Sequence, residues 1–152
     1  MNNKPPGNSS DPARGRRTAG ARARMQDSLA TAAATGDTAR AEELLRDGAD
    51  VNGTNRFGRT PVQVMMMGST RVARLLLSCG ADPNVSDAST GATPLHDAAR
   101  AGFLSTVRAL LEFNADPERR DARGRTAAES AQEHGHEDIA QYINNIPSSK
   151  QS

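Results

Sequence analysis

Apolar and polar positions between residues 25 and 146 recur in short bursts with helical spacing. Leu95, Ala98 and Ala99 fall at i, i+3 and i+4, on one face of a helix. Leu104, Val107, Leu110 and Leu111 form the apolar face of a second helix, with Gly102 between the two where the chain reverses. Thr93 suits the N-cap of the first helix. Pro94 suits its first turn, where the missing N–H costs nothing. Asn114 stands where two earlier bursts carry Gly48 and Gly80, and it can take the left-handed conformation that ends a helix. The pattern predicts a helix–turn–helix unit, followed by a hairpin-like loop from Asp116 to Gly124.

This unit repeats. Gly58-Arg-Thr-Pro61, Gly91-Ala-Thr-Pro94 and Gly124-Arg-Thr-Ala127 are 33 residues apart each time. Gly36, Gly68, Gly102 and Gly135 mark the turns between paired helices. Gly48-Ala-Asp50, Gly80-Ala-Asp82 and Asn114-Ala-Asp116 each follow a Leu-Leu pair. Three landmarks in one order at this period resemble the ankyrin repeat, whose phrase Thr-Pro-Leu-His-x-Ala stands in full at Thr93–Ala98. The expected fold is an all-α ankyrin-repeat solenoid of four helix-turn-helix repeats, at about 25–53, 54–86, 87–119 and 120–146, with hairpin-like loops. Asp27-Ser-Leu29 and Asn144 make the end repeats more polar than the middle, as terminal repeats facing water require. Four repeats is close to the minimum, so a marginal fold is expected.

Repeat two breaks the period. Thr93 to Gly102 is nine steps, but Thr60 to Gly68 is eight. The turn glycines are accordingly spaced 32, 34 and 33, and an extra residue follows in Asp87-Ala-Ser-Thr90. The first helix of this repeat is therefore shortened, and Met65, Met66 and Met67 occupy the irregular stretch. Methionine fills odd gaps and also lines adaptable binding surfaces. Three in a row cannot all face inward, so at least one is expected at the surface, and a local rule broken inside a regular array often marks a functional site.

Composition sharpens this picture. Aromatic residues are 3% of the chain, so Ala and Leu must do the packing, in thin closely stacked layers. Residues 1–24 are rich in Pro, Gly, Ser, Asn and Arg and lack Val, Ile, Leu and aromatics, which predicts a disordered basic tail. Residues 147–152 are expected to be a disordered C-terminus. The tail carries six of the 19 basic groups and one of the 18 acidic ones, leaving the rest net acidic. That balance argues against nucleic acid as the main partner. Arg14-Gly-Arg-Arg17 reads either as a nuclear localisation signal or as a solvated basic cluster. No signal peptide and no apolar run long enough for a bilayer is evident, so no membrane partner is expected. Cys79 is the one cysteine, with no internal disulfide open to it, and is expected to be half-buried in a reducing compartment.

Pro61-Val-Gln-Val-Met-Met-Met-Gly-Ser-Thr-Arg-Val-Ala73, then Leu75-Leu-Leu77, resembles the ankyrin-type inhibitors of cyclin-dependent kinases 4 and 6. So does His96-Asp-Ala-Ala-Arg-Ala-Gly-Phe-Leu104, and the likeness covers about residues 28–146. The resemblance implies a monomer, present in cytoplasm and nucleus, that binds those two kinases beside the ATP cleft. Such inhibitors tilt the kinase lobes, weaken D-type cyclin binding and arrest the cell in G1. It implies kinase contacts by Gln63, Met65 and Met66 of repeat two, by Asp87 at the next hairpin, by Asp97, which pairs with a kinase arginine, and by Phe103. The family's four-repeat members carry Arg, Glu and Asp where this chain has Thr93, Ala101 and Ser105, three neutral residues on or near the expected binding face.

The remaining polar motifs read as structural. His96 suits a hydrogen bond at the hairpin–helix junction better than metal ligation, and His134-Gly-His136 spans an inter-helix turn with no third ligand near. Asp87, aligned with Asn55 and Asp121, is equally a turn-forming residue. No catalytic constellation and no phosphate-cradling glycine loop is present, so no enzyme, cofactor or metal is expected. The alternative is a generic ankyrin scaffold for an unrelated protein partner.

Overall fold

The computed structural model describes residues 12–146, with side chains from residue 19 onward. It contains eight helices and no strands among those residues. Four pairs follow one another: α1 (Pro12–Thr35) with α2 (Thr38–Arg46), α3 (Pro61–Val64) with α4 (Thr70–Ser78), α5 (Pro94–Ala101) with α6 (Leu104–Glu112), and α7 (Ala127–Glu133) with α8 (Glu137–Asn144). First helices form one layer, in which α1 packs on α3 and α5 on α7. Second helices form the other, in which α2 packs on α4 and α4 on α6. The ankyrin register is thus borne out.

The expected signals do the expected work. Thr93 Oγ1 accepts from His96 N, and Thr126 Oγ1 accepts from Glu129 N, each opening a first helix. Asp37 and Ser69 cap α2 and α4 through Arg40 N and Val72 N. Asn114 alone among the described non-glycine residues has positive φ, at 75°, and ends α6 as its pattern predicts. The hairpin loops close through Asn55 N to Arg59 O, Asp87 N to Ala92 O and Asp121 N to Arg125 O.

The core is thin and aliphatic. Leu29, Leu76, Leu95, Leu110 and Ile139 are its largest fully buried apolar side chains, and alanines fill the gaps between layers. Side-chain amides tie successive repeats together. Asn52 donates to Gly80 O and accepts from Asp82 N, and Asn84 does the same with Asn114 O and Asp116 N.

Two expectations need correction. Residues 12–24, expected to be disordered, lie in α1. The segment is rich in Ala and Arg, both strong helix formers, and no proline follows Pro12 to stop a helix that continues into repeat one. The cluster Arg14–Arg17 is helical, and residues 1–11 and 147–152 lie outside the described residues. Cys79, expected to be half-buried, is exposed, because it caps α4 at the outer rim of the stack.

Candidate functional site

Repeat two supplies the departure from regularity. Its first helix has four residues, where α5 has eight. The backbone leaves the helix at Met65, with φ −58° and ψ 154°. Gln63 occupies the place of His96, and the two behave differently. His96 is fully buried. Its Nδ1 accepts from Thr93 N at 3.1 Å, so its Nε2–H donates to Arg125 O at 2.7 Å, across to repeat four. Gln63 is half-buried, and its Oε1 accepts from Thr60 N at 2.8 Å. No described hydrogen bond takes its amide onward to repeat three. Thr60 Oγ1 is buried facing Gln63 N in a capping box but, unlike Thr93 Oγ1, closes no full hydrogen bond. The seam between repeats two and three therefore lacks the side-chain bridge that closes the next one.

A cleft of about 250 Å³ opens at this seam. Its walls are Arg59, Gln63, Asp87, Ser89, Thr90, Ala92, Pro94, Asp97 and Arg100. Three of the six residues expected to contact a partner thus meet in one place: Gln63 from α3, Asp87 from the following hairpin and Asp97 from the first turn of α5. Residues 24 and 34 positions apart are joined by the stacking of two repeats.

The two carboxylates are held differently. Asp87 Oδ2 accepts from Ser89 N and Oγ and from Thr90 N and Oγ1, while Oδ1 faces Arg59 at 3.1 Å. The Ser89 hydroxyl and the Thr90 backbone N–H hold its pKa down at about 2. Its turn-forming role is thus on view, and Oδ1 is the oxygen left toward the cleft. Asp97 pairs with Arg100 at 2.9 Å, but burial outweighs that attraction and raises its pKa. Asp97 is therefore a carboxylate whose charge the fold does not fully support.

Met66 and Phe103 lie at the turns rather than in the cleft. Met66 is 44% exposed, as the argument from three consecutive methionines requires, and Met66 N donates to Ala33 O at 2.8 Å. Its side chain covers Gly36, just as the Phe103 ring covers Gly68 and the His136 ring covers Gly102. In the regular repeats the residue after the turn glycine takes that seat. In repeat two Met66 takes it from two positions before Gly68. Met65 departs from expectation: it is 3% exposed and belongs to the core. The extended backbone after the truncated helix turns it inward, so it shapes the site from beneath. Met67 is half-buried against the core, and its carbonyl accepts from Thr106 Oγ1 at 2.6 Å.

Of the three neutral positions, Ala101 and Ser105 are exposed, whereas Thr93 is buried as a helix cap and presents nothing to a partner. The other histidines have structural work: His134 Nδ1 bonds Ser130 O at the end of α7, and His136 packs on Gly102. Arg59 and Arg100 line the cleft and were not singled out from the sequence. Arg100 could have been found, since it lies three residues after Asp97 on one helix face. Arg59 could not, because its pairing with Asp87 exists only once the repeats are stacked.

Comparison with known proteins agrees with this frame. The family model for ankyrin repeats (three copies) matches residues 63–149. The chain is 53% identical over 115 residues to Cyclin-dependent kinase 4 inhibitor B of Rattus norvegicus, covering 76% of this chain and 88% of the relative. Against the Homo sapiens protein of the same name it is 52% identical over 117 residues, covering 77% of this chain and 85% of the relative. Against Cyclin-dependent kinase inhibitor 2A of Homo sapiens it is 51% identical over 117 residues, covering 77% and 75%.

Proposed function

We infer function from this premise: the chain belongs to the ankyrin-repeat family of cyclin-dependent kinase inhibitors. We propose that it is a protein inhibitor of cyclin-dependent kinases 4 and 6. It acts as a monomer, by binding and not by catalysis, which agrees with relatives named as inhibitors. The observation that carries the reading is the cleft at the shortened repeat, where Gln63, Asp87 and Asp97 converge. A kinase arginine entering it meets Asp97, a half-buried carboxylate paired with Arg100, and Asp87 on the hairpin of the same repeat. Met66 and Phe103 supply apolar contacts at the adjoining turns. Met65 supports that surface without reaching it.

Binding favours a kinase arrangement with tilted lobes and misaligned catalytic groups. Differential affinity for that arrangement shifts the population toward it, weakens D-type cyclin binding and holds the cell in G1. We propose that it works in cytoplasm and nucleus, where such an inhibitor would meet its kinases. The test is phosphorylation of a protein substrate by each kinase with its D-type cyclin, with increasing amounts of this chain added. Dose-dependent loss of phosphorylation with displacement of cyclin supports the proposal. Undiminished phosphorylation at saturating amounts of folded protein overturns it, and the generic scaffold then takes its place.

A further inference from the structure

Phe57 is 74% exposed, the most exposed large hydrophobic side chain among the described residues. It sits at the tip of the hairpin loop between repeats one and two. That loop shares its frame with the loop before repeat four. Asn55 Oδ1 accepts from Phe57 N and Arg59 N, as Asp121 Oδ1 accepts from Arg123 N and Arg125 N. Gly58 and Gly124 both take the left-handed conformation at the turn. The frame is thus satisfied equally well with Arg123 at the tip, and folding gives no reason for an aromatic ring there.

The ring is also held in place. Arg56 N donates to Asp27 Oδ1 at 2.9 Å, and the Arg56 guanidinium lies 5.3 Å from the centre of the Phe57 ring. Arg59 anchors the far side of the loop to Asp87 at 3.1 Å. An exposed aromatic on a loop tied down on both sides loses little freedom on binding, which is the property of an interface anchor. Arg59 also lines the cleft that contains Asp97, so the tip is continuous with the proposed kinase surface.

We propose that Phe57 is an anchor for the same kinase partner, inserting into an apolar recess whose rim carries a carboxylate for Arg56. This rests on the inhibitor reading and extends its surface to the first hairpin. The experiment is titration calorimetry into monomeric cyclin-dependent kinase 6 of the full chain, Phe57→Ala and Asp97→Ala. Sedimentation and thermal melting of each protein accompany it. The expected result is that Phe57→Ala binds about tenfold or more weakly, with an unchanged melting temperature. Binding by Phe57→Ala within about twofold of the unsubstituted chain, while Asp97→Ala is weakened, overturns the anchor and leaves the cleft reading standing; so small a change is under half a kcal/mol. Absence of binding by the unsubstituted chain overturns both. Self-association that Phe57→Ala abolishes makes a second copy the occupant and also overturns the proposal.

Discussion

Repeats two and three carry the same landmarks in the same order, Thr-Pro, a turn glycine and Gly-Ala-Asp or Asn-Ala-Asp, yet they are built to different standards. In repeat three the cap, the ladder and the bridge to the next repeat are all complete: Thr93 caps, α5 runs eight residues, and His96 reaches Arg125 O. In repeat two the helix stops after four residues, Thr60 Oγ1 faces Gln63 N in a capping box without closing a full hydrogen bond, and Gln63 ends at its own helix start. The regular repeat stabilises the stack. The irregular one is still tied to its neighbour by Asn84, Thr106 and Arg59, but it lacks the buried His96-type bond at its first helix, and a partner can use the space left there. The cleft opens at that seam and takes one wall from each repeat.

The largest effect that tests this contrast lies in the core. Leu95 and Val62 occupy equivalent places under the two repeats, and both are fully buried. Leu95→Ala is expected to cost about 3 kcal/mol. Val62→Ala removes a smaller side chain and is expected to cost about half of that. Urea denaturation of the two variants measures the difference, and equal costs would show that the smaller Val62 is packed more tightly than Leu95.

The turn glycines give the next effect. Gly102 has φ +89°, and a Cβ there would lie 2.6 Å from the His136 ring. Gly68 has no left-handed strain, and its Cβ would meet the Phe103 ring at 3.3 Å. Gly102→Ala is therefore expected to cost about 2 kcal/mol, through backbone strain plus displacement of the ring. Gly68→Ala is expected to cost much less, and thermal melts rank the two.

Exchanging the bridging residues sharpens the comparison further. His96→Gln removes a buried inter-repeat hydrogen bond and is expected to cost about 1 kcal/mol. Gln63→His places the bridging group in repeat two and is expected to weaken kinase binding without loss of stability. A destabilised Gln63→His that binds normally would show that the seam is not what the partner reads.

The smallest effects are in pH dependence, and the two carboxylates have opposite signs. Asp87 titrates at about 2 when folded, below its unfolded value of 3.8, so it adds stability above pH 4 that is lost as pH falls toward 2. Asp97 is shifted upward, so its contribution is present at low pH and is lost as pH rises through its folded value. Asp87→Asn should lose the acid limb of the stability curve between about pH 4 and 2. Asp97→Asn should raise the melting temperature at neutral pH while weakening the kinase complex. A lower melting temperature for Asp97→Asn would mean that its charge serves the fold.

Much of this architecture was legible in the chain. The two inner repeats announce themselves with Thr-Pro, a turn glycine and a Gly-Ala-Asp or Asn-Ala-Asp segment, the outer two with part of that set, and counting between Thr60 and Gly68 locates the shortened helix. These are local rules, and local rules survive stacking. What was not legible depends on stacking or on competition between signals. Met65 turns inward because of the ψ angle at the broken helix end, which spacing does not encode. Arg59 meets Asp87 only across two repeats. Residues 12–24 have the apolar poverty of a tail and the Ala–Arg content of a helix, and the second prevails where the chain runs on into α1.

The central claim is that a kinase is bound at the cleft of the shortened repeat through Asp97. Calorimetric titration of the full chain and of Asp97→Ala into monomeric cyclin-dependent kinases 4 and 6, with circular dichroism to verify folding, tests it most directly. The account predicts one-to-one binding that Asp97→Ala weakens by about 2 kcal/mol or more, the cost of leaving a partner arginine unpaired in a closed interface. Binding of equal strength by both proteins, or by neither, would contradict it.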